Sequence, residues 1–246
     1  MDMETVSLSI GFGLVALLYA AVGQAGASGY IALMSLQGFP PSTIRITALT
    51  LNLLVAGIGR ALFFRRGLVS WKAVYPFMIL GLPLSVIGGM VELPEEVYNP
   101  VVGVVLIVSA FQMAKASLGR GMVSSSTVKP PLPAAIAVGA VIGFISGTTG
   151  TGGGVFLAPV ILAFGWATAR QTAATTAVYN LLASAAALAG ASTSYEGVAL
   201  PSSWWIAAVV AGGGLGAFVG SRFLSERILR GILALLLLVS GIKLVW

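Results

Sequence analysis

The 246 residues include no cysteine and no histidine, and they carry few charges: 13 Lys and Arg against 7 Asp and Glu, 8% of the chain. Without thiols there are no disulfides and no thiolate chemistry. Without imidazole there is no histidine proton shuttle and no haem or zinc site of the usual kind. No metal and no cofactor is therefore expected. So few charges cannot cover a water-exposed surface, because a soluble domain has roughly 25% charged residues. What fills the chain instead is apolar: 58% of residues are hydrophobic, with a mean hydropathy of +1.02. A lipid bilayer must be its main solvent. The net charge of +6 does not point to nucleic acid, because the basic residues form no tract. They sit in short loops between apolar stretches, the pattern that orients membrane proteins. The first five residues hold Asp2 and Glu4 and no Lys or Arg. They lack the basic start of a signal peptide, so the first apolar segment is expected to remain in the mature protein.

Ten apolar segments are present, over 6–22, 26–39, 44–64, 71–90, 97–118, 132–146, 153–166, 171–190, 202–220 and 228–246. A spanning helix needs about 20 apolar residues. Six segments meet that length. The other four form two adjacent pairs, each joined by a glycine-rich break. The one long polar stretch, 119–131, contains Ser124-Ser125-Ser126-Thr127 and Pro130-Pro131 and reads as a linker between a first repeat, 1–118, and a second, 132–246.

A duplication supports that division. Gly23, Gly26 and Gly29 recur as Gly147, Gly150 and Gly153, 124 residues later. Arg45-x-Thr47-Ala48 recurs as Arg170-x-Thr172-Ala173, and Gly81, Ser85 and Gly89 recur as Gly212, Gly216 and Gly220. The last set has the small-xxx-small spacing of close helix packing.

Charge bias orients the repeats. Arg60, Arg65, Arg66 and Lys72 put the loop near 65–70 inside. Glu92, Glu95 and Glu96 put the next loop outside, and Lys115, Arg120 and Lys129 place the linker inside. Glu196 marks an outer loop, and Arg222, Arg227 and Arg230 an inner one. Both termini then lie outside a cytoplasmic membrane. With this parity each short pair leaves and returns to the same face. The expected fold is all-α and polytopic. It has two inverted repeats, each with a short helix pair plus three spanning helices, the plan of many secondary transporters. The short pairs are either re-entrant hairpins with tips near the midplane or two slightly short crossings.

The tips read Gly23-Gln24-Ala25-Gly26-Ala27-Ser28-Gly29 and Gly147-Thr148-Thr149-Gly150-Thr151-Gly152-Gly153-Gly154. Non-helical backbone at membrane depth must be buried in protein or line a wet cavity. A helix follows each tip, and its first turn offers free N–H groups and a positive dipole end. Two such ends facing each other make an anion site without a charged side chain. Gln24, Gly26, Ser28 and Gly29 in the first tip, and Thr148, Thr149, Gly150, Thr151, Gly152 and Gly153 in the second, are the substrate-binding candidates. Asn52 and Asn180 join them, since an asparagine within a spanning helix requires a polar partner. Arg45 and Arg170 each start a spanning helix and are candidates for steering an anion in, or for interfacial snorkelling. The seven acidic residues all lie near ends or loops, so no carboxylate is placed for a cation path or proton relay. No Gly-Lys-Ser/Thr follows the glycine run, which excludes a nucleotide phosphate loop. No nucleophile–base pair or metal cluster suggests an enzyme.

The run Thr148–Gly154, its continuation Val155-Phe156-Leu157-Ala158-Pro159, and Ala173-Ala174-Thr175-Thr176 resemble the sulfite exporter TauE/SafE family of membrane permeases, whose members also have two related halves. The first half departs from the pattern, with Tyr30-Ile31-Ala32-Leu33-Met34-Ser35 where a second glycine-rich signature ending in proline would stand. The resemblance implies transport of a small sulfur-containing anion such as sulfite, a sulfonate or sulfoacetate. The expected function is a secondary transporter for such an oxyanion by alternating access. Its partners are then a small anionic substrate and the bilayer, with the oligomeric state open. The rivals are an anion channel of the same fold and a membrane scaffold subunit that moves nothing.

Overall fold

The computed structural model describes residues 3–21, 24–64, 70–118, 128–194, 201–219 and 226–246. Among them are ten α-helices and no strand: α1 Met3–Ala21, α2 Ala27–Leu36, α3 Pro41–Phe64, α4 Trp71–Met90, α5 Glu95–Ser117, α6 Leu132–Thr149, α7 Gly154–Ala163, α8 Ala169–Ser194, α9 Ser203–Val219 and α10 Glu226–Val245. The all-α, polytopic expectation holds. Five helices (α3, α4, α5, α6 and α8) are long and apolar enough to cross a membrane. Many large apolar side chains point outward, Phe111 and Phe218 among them, as a lipid-facing surface requires. Arg65, Arg66, Arg120, Glu196 and Arg222, which carry much of the charge argument, lie outside the described residues.

The helices pack in exchanged sets. α4 lies against α6 and α8, and α9 lies against α1 and α3. α4 and α6 run parallel, with the backbone of Gly139 on Phe77, Gly143 on Gly81 and Gly147 on Ser85. α1 and α9 run parallel in the same way, Gly212 on Gly13 and Gly216 on Leu17. A Cβ at any of these glycines would strike a carbonyl, so backbone contact is what the small residues allow. α8 is antiparallel to α4, with Ala187 beside Gly89 and Gly190 beside Val86. α5 and α10 form a third, antiparallel pair, in which Gly103 meets Gly241 and Val245.

The two short pairs are lopsided. Their first helices have 19 and 18 residues and their second helices 10 and 10. The apolar stretch expected to end at 146 continues as helix through Thr149, because threonines can bond the preceding turn. Thr149 Oγ1 does so, donating to Ile145 O at 2.6 Å. α6 therefore runs the full depth of α4, with Gly88 of α4 packed against Thr148. Three left-handed glycines, Gly150 (φ 82°), Gly152 (φ 78°) and Gly153 (φ 76°), then turn the chain back. Gly150 rests on Arg45 of α3, and Gly152 rests on Asn52, seven residues further along. That is a retreat of about 10 Å at 1.5 Å per residue. α7 covers the remaining half of the depth and ends where α8 begins. The second pair thus consists of one full-depth helix, an extended return and a half-helix, and the first likewise sets a longer helix before a ten-residue one.

Candidate functional site

Asn52 and Asn180 are each the twelfth residue of their helix, α3 and α8 respectively, so both sit near mid-depth. Each asparagine caps a half-helix. Asn52 Oδ1 accepts from Ala27 N, the first residue of α2, at 3.1 Å. Asn180 Oδ1 accepts from Gly154 N, the first residue of α7, at 3.4 Å. The residue before each half-helix is a left-handed glycine, Gly26 (φ 97°) or Gly153 (φ 76°), with no side-chain cap of its own. Glycine cannot supply the usual Ser or Asp cap, and the neighbouring helix supplies an amide oxygen instead. α2 and α7 run from the middle to opposite ends of the bundle, so their positive ends meet. The junction is closed by Asn52 Nδ2, which donates to Ser184 Oγ at 2.8 Å. Gly152 sits on this crossing: a Cβ there would lie 2.7 Å from both Asn52 Nδ2 and Ser184 Oγ, and would also strike Asn180 Oδ1.

The structure thus gathers Gly26, Asn52, Gly152, Gly153 and Asn180 at one place. Thr148, Thr149 and Thr151 are close by and buried, but their protons are committed. Thr148 Oγ1 donates to its own helix, at Phe144 O and Ile145 O. Thr149 donates to Ile145 O, so in the 3.0 Å pair between Thr149 and Thr151 the proton belongs to Thr151. In the first tip, Ser28 Oγ pairs with Tyr19 OH at 2.8 Å, and Gln24 has a buried amide oxygen without a partner among the described residues. Gly29 lies inside α2 with Tyr19 and Val15 pressed against it. Gly150 lies apart from the junction, packed on Arg45.

Arg45, expected near an entrance, is instead fully buried. Its guanidinium donates to Val91 O (2.7 Å), Gly89 O (2.8 Å), Gly88 O (3.0 Å) and Gly147 O (3.1 Å). It holds the carbonyl end of α4 and ties it to α6, as a cation at a helix C-terminus does. Arg170 is not its equivalent: Arg45 is the fifth residue of α3, and Arg170 the second of α8. The side chain of Arg170, and Gly23, lie outside the described residues.

The structural register of the halves also differs from the spacing of the glycine runs. Gly26 corresponds to Gly153, a shift of 127, and Asn52 to Asn180, a shift of 128. At that register Tyr19 stands opposite Ser146. Ser146 and Ser184 are site residues that sequence reasoning missed. Ser184 is four residues after Asn180, on the same helix face, and that spacing was a legible signal.

Among the described residues no group of three metal-binding side chains occurs. The chemistry the junction offers is hydrogen-bond donation from backbone and hydroxyl groups under a positive potential.

No solved structure matches the chain. A probable membrane transporter protein, y4hK, of Sinorhizobium fredii (strain NBRC 101917 / NGR234) is 60% identical over 249 residues, covering 100% of both chains. The family model described as "Sulfite exporter TauE/SafE" matches residues 8–244. With a match from α1 to the last turn of α10, including both half-helices and the asparagines that cap them, the chain belongs to the sulfite exporter TauE/SafE family.

Proposed function

We propose that this protein is a secondary transporter that moves a small sulfur-containing oxyanion (sulfite, a sulfonate or sulfoacetate) across the cytoplasmic membrane by alternating access. The observation that carries the reading is the meeting of two half-helix N-termini at mid-depth, each capped by an asparagine from the middle of a long helix. Opposed positive ends buried between apolar helices form an anion site, and discontinuous helices of this kind hold substrates in inverted-repeat transporters. The exchanged packing of α4 with α6 and α9 with α1 supports an inverted duplication of 1–118 in 132–246. The family's name supplies the sulfur. The charge bias of the loops puts both termini outside and the 119–131 linker inside. Transport needs no bond to be made or broken, in keeping with a site built of backbone amides and hydroxyls.

The test is flux of sulfite in liposomes containing the purified protein. A carrier saturates with concentration and exchanges labelled for unlabelled substrate. Large, non-saturating conductance identifies a channel of the same fold, and no flux of any sulfur oxyanion identifies a scaffold; either sinks the proposal.

A further inference from the structure

The two ends of the junction are not alike. At the α2 end two aromatic rings pack against the glycines of the tip. Tyr19 and Tyr30 are fully buried. The Tyr30 ring and hydroxyl lie 3.1 Å from a Cβ placed on Gly26, and Tyr19 lies 2.7 Å from one placed on Gly29. Their hydroxyls are used locally, Tyr30 on Ala25 O at 3.2 Å and Tyr19 on Ser28 Oγ at 2.8 Å.

At the α7 end the position equivalent to Tyr19 is Ser146. The turn is packed by the Tyr179 ring, 3.0 Å from a Cβ placed on Gly153 and with its hydroxyl drawn away to Gly139 O, and by Ser146, whose Cβ lies 3.3 Å from that same point. Ser146 is fully buried, and among the described residues its Oγ has no hydrogen-bond partner. A buried hydroxyl without a partner is costly and calls for an explanation. The donors around it are equally unused. Among the described residues no acceptor is found for the N–H groups of Gly152, Gly153 and Val155. Ser184 Oγ accepts from Asn52, and its own proton has no acceptor among the described residues. The three threonines, by contrast, have spent their protons on the protein.

We infer that the oxyanion is held at the α7 end alone, one per chain, by the N–H groups of Gly152, Gly153 and Val155 and the hydroxyls of Ser146 and Ser184, while Tyr19 and Tyr30 close the α2 end against a second anion. Three main-chain donors at a helix N-terminus and two hydroxyls suit a compact anion with several oxygens. This assignment rests on the transport reading above and narrows its site.

Calorimetric titration of sulfite into the purified protein tests it. The unsubstituted protein should bind one sulfite per chain. Ser146→Ala should weaken binding about tenfold, the loss of one hydrogen bond to a charged ligand, without moving the melting temperature of the ligand-free protein. Ser146→Thr, which keeps the hydroxyl, should recover most of that affinity, and Tyr19→Phe should leave it within about twofold. Ser184→Ala provides a second reading should Ser146→Ala fold poorly. Two sulfites per chain, or unchanged affinity in both serine variants, overturns the assignment and leaves the transport reading standing. No saturable binding by the unsubstituted protein overturns both.

Discussion

Arg45 carries a full charge with none of its surface exposed, in a chain whose solvent is lipid. Its partners include four main-chain carbonyls from two helices. Those carbonyls stand at the ends of α4 and α6, where helical pairing runs out, although Gly88 O also accepts from Val91 N at 3.3 Å. Removing the guanidinium leaves several buried acceptors empty at once, each worth roughly 1–3 kcal/mol. Arg45→Ala should therefore destabilise the protein by about 3 kcal/mol or more, read as a drop in melting temperature in detergent. Arg45→Lys should recover part of the loss, because a point charge cannot span four carbonyls as a planar fork does. A variant with normal stability but slowed uptake would instead return Arg45 to the entrance role that its place at a helix start suggests. Side-chain chemistry of this kind was poorly legible in the sequence. Arg45 and Arg170 look alike in their three-residue motifs, yet which carbonyls lie within reach depends on α4 and α6, more than 40 and 100 residues away. The asparagines were legible, since a mid-helix amide in lipid must find a partner. That the partner is the first N–H of a half-helix was not.

At the scale of elements, ten helices and their breaks were readable from apolar runs and glycines, because both reflect local chemistry. The lopsidedness of the second pair was not. It depends on Thr148 and Thr149 prolonging α6 by bonding the previous turn, a choice that hydropathy does not register. The glycine runs also misled by three residues. A G-x-x-G-x-x-G pattern mixes glycines that turn the chain, such as Gly26, with glycines inside a helix, such as Gly29, and only the φ angles separate them. The small-xxx-small sets gave the helix pairings their signal. Gly143 lies on Gly81 so closely that a Cβ would strike its carbonyl oxygen. Gly143→Leu should force α4 and α6 apart, exposing the Ser85 hydroxyl that bonds Gly143 O at 3.1 Å. The expected outcome is loss of the monodisperse protein on size-exclusion chromatography. The same exchange at Gly214, where a Cβ meets nothing within 4 Å, should be tolerated. Equal behaviour of the two would mean that backbone contact does not hold these helices.

Across the whole molecule the halves are packed unequally. α2 has eight of its ten residues buried and α7 only two. α10 lies along α2, and Lys243 Nζ donates to Leu36 O at the end of that helix at 2.7 Å, whereas α5 only grazes α7. If the proposed inverted duplication holds, a state with the α5–α10 pair on α2 implies a counterpart with the pair on α7, and interconversion of the two would open each face in turn. On the proposed alternating-access reading this pair is the moving part. The corresponding contact is then Ala163–Gln112, using the shift of 127 between the half-helices and of 131 between α5 and α10, where Val108-Ser109 recurs as Val239-Ser240. Gln112 has a buried amide oxygen without a partner among the described residues. The chain has no cysteine, so introduced thiols are the only ones. A direct disulfide needs Cα atoms within about 7 Å, and a short bis-thiosulfonate linker spans a contact made through a lysine side chain without that requirement. Leu36→Cys with Lys243→Cys should link in the ligand-free protein, Ala163→Cys with Gln112→Cys should link in a second population, and sulfite should change the two yields in opposite directions. Either link should stop flux, and reduction should restore it. Undiminished flux with 36 and 243 linked would fix the α5–α10 pair in place and assign the motion to the half-helices themselves.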